Sequence, residues 1–164
     1  MRCGKAANVS RIRINNLDAS FKDRISRQQG GEGIKLCYGC GACSASCPIE
    51  PLDRRYDPRK IIRMALLGMV PDILESDFIW LCSSCYGCTE VCPQNVRITE
   101  VMFAIKNVAV AEGLTPAGLG MQKKLLREHG RLYEVTEFEN EKRDKLGLPP
   151  IVEKPDDYEA LLKD

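Results

Sequence analysis

The 164-residue sequence has almost no net charge, +1 at neutral pH, so it offers no broad basic field and nucleic acid is not an expected partner. It has no apolar run approaching the roughly 20 residues that span a bilayer, so no membrane-spanning helix is expected. The start, Met1-Arg2-Cys3-Gly4-Lys5, is not followed by the apolar stretch of a secretory signal, and the expected location is the reducing cytoplasm. No glycine-rich dinucleotide fingerprint points to a flavin or nicotinamide site. Period-2 runs of β-branched residues are missing, which argues against a sheet. Aromatics are only 6%, and there is one histidine. Cysteine is the residue in surplus, with nine. In a cytoplasmic chain, clustered cysteines read as metal ligands more readily than as disulfides.

The charge is neutral in sum but unevenly placed. Residues 1–36 carry eight Lys/Arg against three Asp/Glu, residues 37–130 carry ten of each, and residues 131–164 carry six against ten. The segments read as a basic head, a central domain and an acidic arm, the flanks being either solvated surface or docking segments.

Eight cysteines form two groups. Cys37, Cys40, Cys43 and Cys47 precede Pro48; Cys82, Cys85, Cys88 and Cys92 precede Pro93. Both read C-x2-C-x2-C-x3-C-P, and each member of the second lies 45 positions after its counterpart. Three cysteines at two-residue intervals let one tight loop wrap a cube of iron and sulfide. The fourth is carried off by the proline and serves the other cube, as in two-cluster proteins of this spacing. The expected ligand sets for two [4Fe–4S] clusters are therefore Cys37, Cys40, Cys43 and Cys92, and Cys82, Cys85, Cys88 and Cys47. Gly39, Gly41 and Gly87 are expected to take positive φ and bring backbone N–H groups close to sulfur. The alternative is structural zinc, although zinc sites usually supply cysteines as two separated pairs and need no third ligand two residues on. Cys3 lies far from both groups and reads as a free thiol. His129 falls at a helix end, where it suits the last carbonyls.

The rest reads as helix. Asp57-Pro58 begins a segment that Gly68 ends. Ile98, Val101, Met102, Ile105, Val108 and Ala109 follow helical spacing, with Gly113 beyond. A third helix runs from Pro116 to Gly130, a shorter one covers 18–27, and short turns fall near Pro71 and over 77–81. The expected architecture is all-α, with cluster loops between helices 57–68, 98–112 and 116–129. Residues 131–164 are expected as an extended, partner-binding arm, since Tyr133, Val135, Phe138 and Ile151 are too apolar for a solvated tail. Tyr38, Ile49, Trp80, Leu81, Tyr86 and Val91 flank the ligands as shielding. The basic run Arg54, Arg55, Arg59, Lys60 and Arg63 would favour a reduced, more anionic cluster, or is simply an exposed helix face.

The two motifs, the spacer Asp57-Pro58-Arg59-Lys60-Ile61-Ile62-Arg63 and the stretch Phe78-Ile79-Trp80-Leu81-Cys82-Ser83-Ser84-Cys85-Tyr86-Gly87-Cys88 together resemble the C-subunit family of heterodisulfide reductases, over roughly residues 15–130. The resemblance implies the α-helical ferredoxin fold and two [4Fe–4S] clusters. It also implies a place between a flavin-containing A-type subunit and a catalytic B-type subunit. The adjacent Cys-Cys pairs of the catalytic subunit are absent, so disulfide reduction itself is not expected here. The expected role is a non-catalytic electron-transfer subunit. Its rivals are a freely diffusing two-cluster ferredoxin, a component of another reductase acting on acyl-CoA or sulfur compounds, and a zinc-bound adaptor.

Overall fold

The computed structural model describes residue 12, residues 14–159, and residues 161 and 162; Cys3 lies outside the described residues. The chain divides into two compact units, Met1–Leu114 and Thr115–Asp164. Among the described residues it is helical and contains no strand.

In the first unit, helix α1 (Phe21–Ser26) is followed by a 3-10 turn, Glu32–Leu36, which leads into Cys37, and by the single turn α2 (Ala42–Ala45). Helices α3 (Pro58–Leu67) and α4 (Val70–Leu74) cross the spacer between the motifs. A second 3-10 turn, Phe78–Leu81, leads into Cys82, and the single turn α5 (Gly87–Glu90) precedes the long α6 (Ile98–Ala111).

The expected helices form for the expected reasons. Asp57 caps α3 by accepting the Lys60 N–H at 3.0 Å, and Pro58 takes the first helical position, where no N–H is needed. Gly68 ends the helix at φ +79, with its N–H bonded to the Ala65 carbonyl and that of Met69 to Met64. Helix α6 buries Ile98, Val101, Met102, Ile105 and Val108 against a core that includes Phe21, Ile25, Ile34, Ile61, Ile62 and Ile73.

Residues 14–36 do not stand apart as a basic head. Phe21, Ile25 and Ile34 are fully buried in the first unit's core, so the aliphatic pattern of this segment outweighs its charge in placing it.

The second unit departs further from expectation. Helix α7 (Ala117–His129), expected beside the cluster loops, groups with the C-terminal residues and has no buried residue. The segment expected as an extended arm contains α8 (Glu137–Lys145) and the short α9 (Asp156–Glu159). A capping box between Thr136 and Glu139 starts α8, satisfying two otherwise orphaned N–H groups. Asn140 and Ile151 exchange two hydrogen bonds, of 2.8 and 3.2 Å, which fold the chain back after α8. His129 does not serve the last carbonyls of α7; its Nδ1 lies 3.1 Å from Glu153 Oε2. Glu153 also accepts the Val135 N–H, and that bond, with the His129 contact second, holds its carboxyl below the usual carboxylate range.

Candidate metal centres

The 45-residue offset of the sequence is preserved in three dimensions. Each motif begins as a 3-10 turn delivers its first cysteine with similar backbone angles, φ −69 and ψ 113 at Cys37 and φ −58 and ψ 119 at Cys82. Each then makes a left-handed bend and a single helical turn, and in each the second cysteine is exposed and the third buried. All eight are unpaired thiols.

The left-handed bends fall at Gly39 (φ +82) and Gly41 (φ +92) in the first motif and at Ser84 (φ +56) and Tyr86 (φ +63) in the second. These are equivalent positions. Gly87, expected to take positive φ, instead opens α5, and the bend it was expected to supply is made by Tyr86. Side-chain-bearing residues in this region are strained by roughly 1–2 kcal/mol each, so the second loop is held by its surroundings rather than by local preference.

The eight cysteines line two cavities, and the grouping is crossed. One cavity is lined by Cys37, Cys40, Cys43 and Cys92, with Tyr38, Gly39, Gly41, Arg59 and Ile98, and spans about 300 Å³ of free space, part of it open to solvent. The other is lined by Cys47, Cys82, Cys85 and Cys88, with Ile49, Tyr56, Pro58, Tyr86 and Thr99, and spans about 270 Å³ on the same measure. Near-equal volumes with four sulfurs each suit two occupants of one kind. Among the described residues, no three His, Cys, Asp or Glu side chains converge as they would on a single ion. The sulfurs stand around a space instead, which suits a multi-atom cage.

At the first cavity the Val96 N–H donates to Cys92 Sγ at 3.3 Å, and the Tyr38 hydroxyl engages Cys40. Burial pushes the Cys43 thiol up to about 11, partly offset by bonds from Ser44, so a metal must displace its proton. At the second cavity the Thr99 hydroxyl lies 3.4 Å from Cys88 Sγ. Burial raises the Cys88 thiol too, and Thr99 is the largest influence opposing it. The buried Tyr56 hydroxyl engages Cys82; desolvation first, and that contact second, drive its own pKa far above the usual phenol value.

Of the expected shielding residues, Tyr38 lines the first cavity, and Ile49 and Tyr86 the second. Trp80 packs against the core and takes the Lys106 ammonium 5.9 Å from its ring centre, while Leu81 and Val91 are exposed. The basic run divides by role. Arg55 forks between Asp53 and Asp77, and Arg54 reaches Glu50 at 3.7 Å. Arg59 and Arg63 lie over the first loop, each with Cδ 3.6 Å from where a β-carbon on Gly41 or Gly39 would stand. Tyr56 and Thr99 were not legible as site residues. Their only signals are position, one residue before the α3 cap and one residue into α6.

This pairing of repeated cysteine loops defines a two-cluster iron–sulfur protein, and residues 32–96 match the family model of the 4Fe-4S dicluster domain. Its relatives narrow the family. The chain is 34% identical over 158 residues to the C subunit of the H2:CoB-CoM heterodisulfide,ferredoxin reductase of Methanothermobacter thermautotrophicus, covering 93% of this chain and 83% of that one. It is 32% identical over 134 residues to the C subunit of the ferredoxin:CoB-CoM heterodisulfide reductase of Methanosarcina mazei, covering 82% of each. With the second iron-sulfur C subunit of the CoB–CoM heterodisulfide reductase of Methanocaldococcus jannaschii it shares 39% over 118 residues, 72% of this chain and 62% of that one. The chain belongs to the C-subunit family of heterodisulfide reductases. Among the described residues no helix is long and apolar enough to cross a membrane.

Proposed function

We propose that this chain is the electron-transfer subunit of a heterodisulfide-reductase-like complex. It would hold one [4Fe–4S] cluster on Cys37, Cys40, Cys43 and Cys92 and another on Cys82, Cys85, Cys88 and Cys47. The observation that carries this reading is the crossed sorting of the eight cysteines around two cavities of similar size. Such clusters, when bound, supply one-electron storage without changing covalent bonds. The residues of the chain do the rest. Ile98, Pro58, Ile49 and Tyr86 keep water from the sulfurs, the Val96 N–H donates to Cys92, and the Thr99 hydroxyl lies against Cys88. Burial and N–H or O–H donors are the means by which a protein sets cluster potential.

The partners in this reading are a flavin-containing A-type subunit and a catalytic B-type subunit or its analogue. The exposed second cysteines, Cys40 and Cys85, give each cavity its own solvent-facing side, so an electron can enter at one and leave at the other. The chain itself is non-catalytic, and its unpaired cysteines suit a reducing cytoplasm.

The test is anaerobic purification followed by iron, acid-labile sulfide and zinc analysis, with electron paramagnetic resonance of the reduced protein. About eight irons and eight sulfides per chain are expected; zinc without sulfide refutes the reading. Cys47→Ser should damage the cluster held by Cys82, Cys85 and Cys88 and leave the other spectrum intact; the opposite pattern refutes the crossed ligation. Co-purification with the flavin-containing and catalytic partners at low and high salt separates a complex subunit from a freely diffusing ferredoxin.

A further inference from the structure

The two long helices of the first unit begin between the two cavities, in a mirrored way. At the start of α3, Pro58 lines the second cavity and Arg59 the first; at the start of α6, Ile98 lines the first and Thr99 the second. Each helix is held there by a hydroxyl from a cluster loop at equivalent positions of the repeat. Ser44 Oγ accepts the Arg59 N–H at 3.1 Å, and Thr89 Oγ1 accepts the Thr99 N–H at 3.1 Å. Both helix N-termini therefore turn their positive ends towards anionic sites, and this contribution is shared.

The second residues of the helices are not shared. At the first cavity the residue is a cation. Arg59 lies over the loop, with Cδ, Nη1 and Nε at 3.6, 3.7 and 3.8 Å from a β-carbon placed on Gly41. At the second it is a neutral hydroxyl, buried to 1% exposure. Thr89 donates to Thr99 Oγ1 at 3.2 Å, which leaves the Thr99 proton for Cys88 Sγ at 3.4 Å. The result is a polarised chain from the α6 backbone to a thiolate. No cation lines the second cavity. Lys106 feels the charge of Cys82, but its ammonium is held over the rings of Trp80 and Phe103, 5.9 and 5.6 Å from their centres. Hydrogen bonds to sulfur are otherwise comparable, one from the Val96 N–H at the first cavity and one with the Thr99 hydroxyl at the second.

Resting on the two-cluster reading above, we propose that Arg59 and Thr99 set the two clusters apart in reduction potential. The cluster of Cys37, Cys40, Cys43 and Cys92 is the more easily reduced. An added electron makes a cluster one charge more negative; a full positive charge answers that directly, and a hydroxyl dipole answers it only in part. An electron arriving on the chain then comes to rest at the Arg59 side. Thr99 is a positioning residue that acts through Cys88.

The experiment is a redox titration of the anaerobically purified holoprotein, followed by electron paramagnetic resonance, on wild type and four variants. Wild type is expected to show two separate one-electron steps. Arg59→Gln should lower the higher step by about tenfold or more in its reduction constant, about 59 mV for one electron, and move the lower step less. Arg59→Lys, which keeps the charge, should stay near wild type. Thr99→Val should lower the lower step, and Thr99→Ser should restore it. Arg59 is exposed and its backbone bond to Ser44 survives substitution, and iron and sulfide are counted in every variant before its steps are compared. Full iron and sulfide with neither step moved, or with Arg59→Gln acting on the lower step, overturns the inference alone. Zinc without sulfide in the same samples overturns the two-cluster reading with it.

Discussion

Gly68 and Gly113 provide a matched pair that isolates one contact. Both end a long helix of the first unit in the left-handed conformation, at φ +79 and +77. A β-carbon on Gly113 would meet nothing within 4 Å, whereas one on Gly68 would stand 2.1 Å from the Asp18 carbonyl oxygen and 2.5 Å from its carbon. Both of those atoms are backbone, so no side chain can swing aside. Alanine at either site carries the left-handed strain of about 1–2 kcal/mol. At Gly68 it also breaks the 2.9 Å bond from the Asp18 N–H to the Gly68 carbonyl, a loss of about 1 kcal/mol. Displacing Asp18 loosens Phe21, which is fully buried just after it; losing half of that burial costs about 1 kcal/mol more. Gly68→Ala is therefore expected to destabilise by about 3–4 kcal/mol and Gly113→Ala by about 1–2. With a urea dependence of about 2 kcal/mol per molar, the two midpoints should differ by about 1 M. Anaerobic urea denaturation followed by circular dichroism reads this directly. Equal midpoints would show that the α3 end does not rest on Asp18.

Asp57→Ala should cost about 1–2 kcal/mol, because it removes the cap of α3 and the partner of the Ser44 hydroxyl. Burial works to raise the Asp57 pKa, but the bonds from Ser44 and the Lys60 N–H outweigh it and the net shift is downward. The stability from this carboxylate is therefore full above the ordinary aspartate range and lost as pH falls through its depressed value. Comparing the acid unfolding of wild type with Asp57→Asn should show a flatter pH profile in the variant. Tyr56→Phe should lower the potential of one cluster only, read by redox titration, since its hydroxyl engages Cys82 and the residue lines the second cavity alone. Gly87→Ala should load its full iron, because a β-carbon there meets Cys85 Sγ and the Ser46 carbonyl at an ordinary 3.7 Å; Gly41→Ala, at φ +92, should load less. A chain ending at Leu114 should keep both clusters, measured as iron and sulfide per chain, since all eight cysteines of the two motifs lie in the first unit.

The helices of the first unit were legible because their signals are local and agree with one another. Asp57-Pro58 and Gly68 bracket α3, and aliphatic spacing marks α6. The repeat of the cysteine loops was legible because the spacing and the proline after each fourth cysteine are local in the chain. What could not be read depends on side chains meeting across distance in sequence. Thr99 reaches Cys88 only once α6 is docked, and Arg59 reaches the first loop only because Ser44 fixes the start of α3. Gly87 misled because a glycine in a tight loop was expected to be the left-handed residue, while Tyr86 takes that bend under the constraint of its neighbours. The C-terminal residues looked extended because Pro149, Pro150 and Pro155 dominate their pattern. The Thr136-Glu139 capping box was the overlooked sign that a helix begins there.

The crossed cavities also bear on how the chain is held together. Among the described residues it has no disulfide, yet each cavity is closed by one cysteine from the opposite half of the repeat, Cys92 for the first and Cys47 for the second. Whatever fills the two spaces acts as a pair of interlocked rivets, one joining Cys92 to cysteines 49–55 positions before it and the other joining Cys47 to cysteines 35–41 positions after it. Closing loops of that length removes much freedom from the unfolded chain. Neither half can complete a four-sulfur ring alone, so filling one site brings together the backbone that completes the other. Assembly should then be cooperative, with whichever site fills first easing the filling of the other.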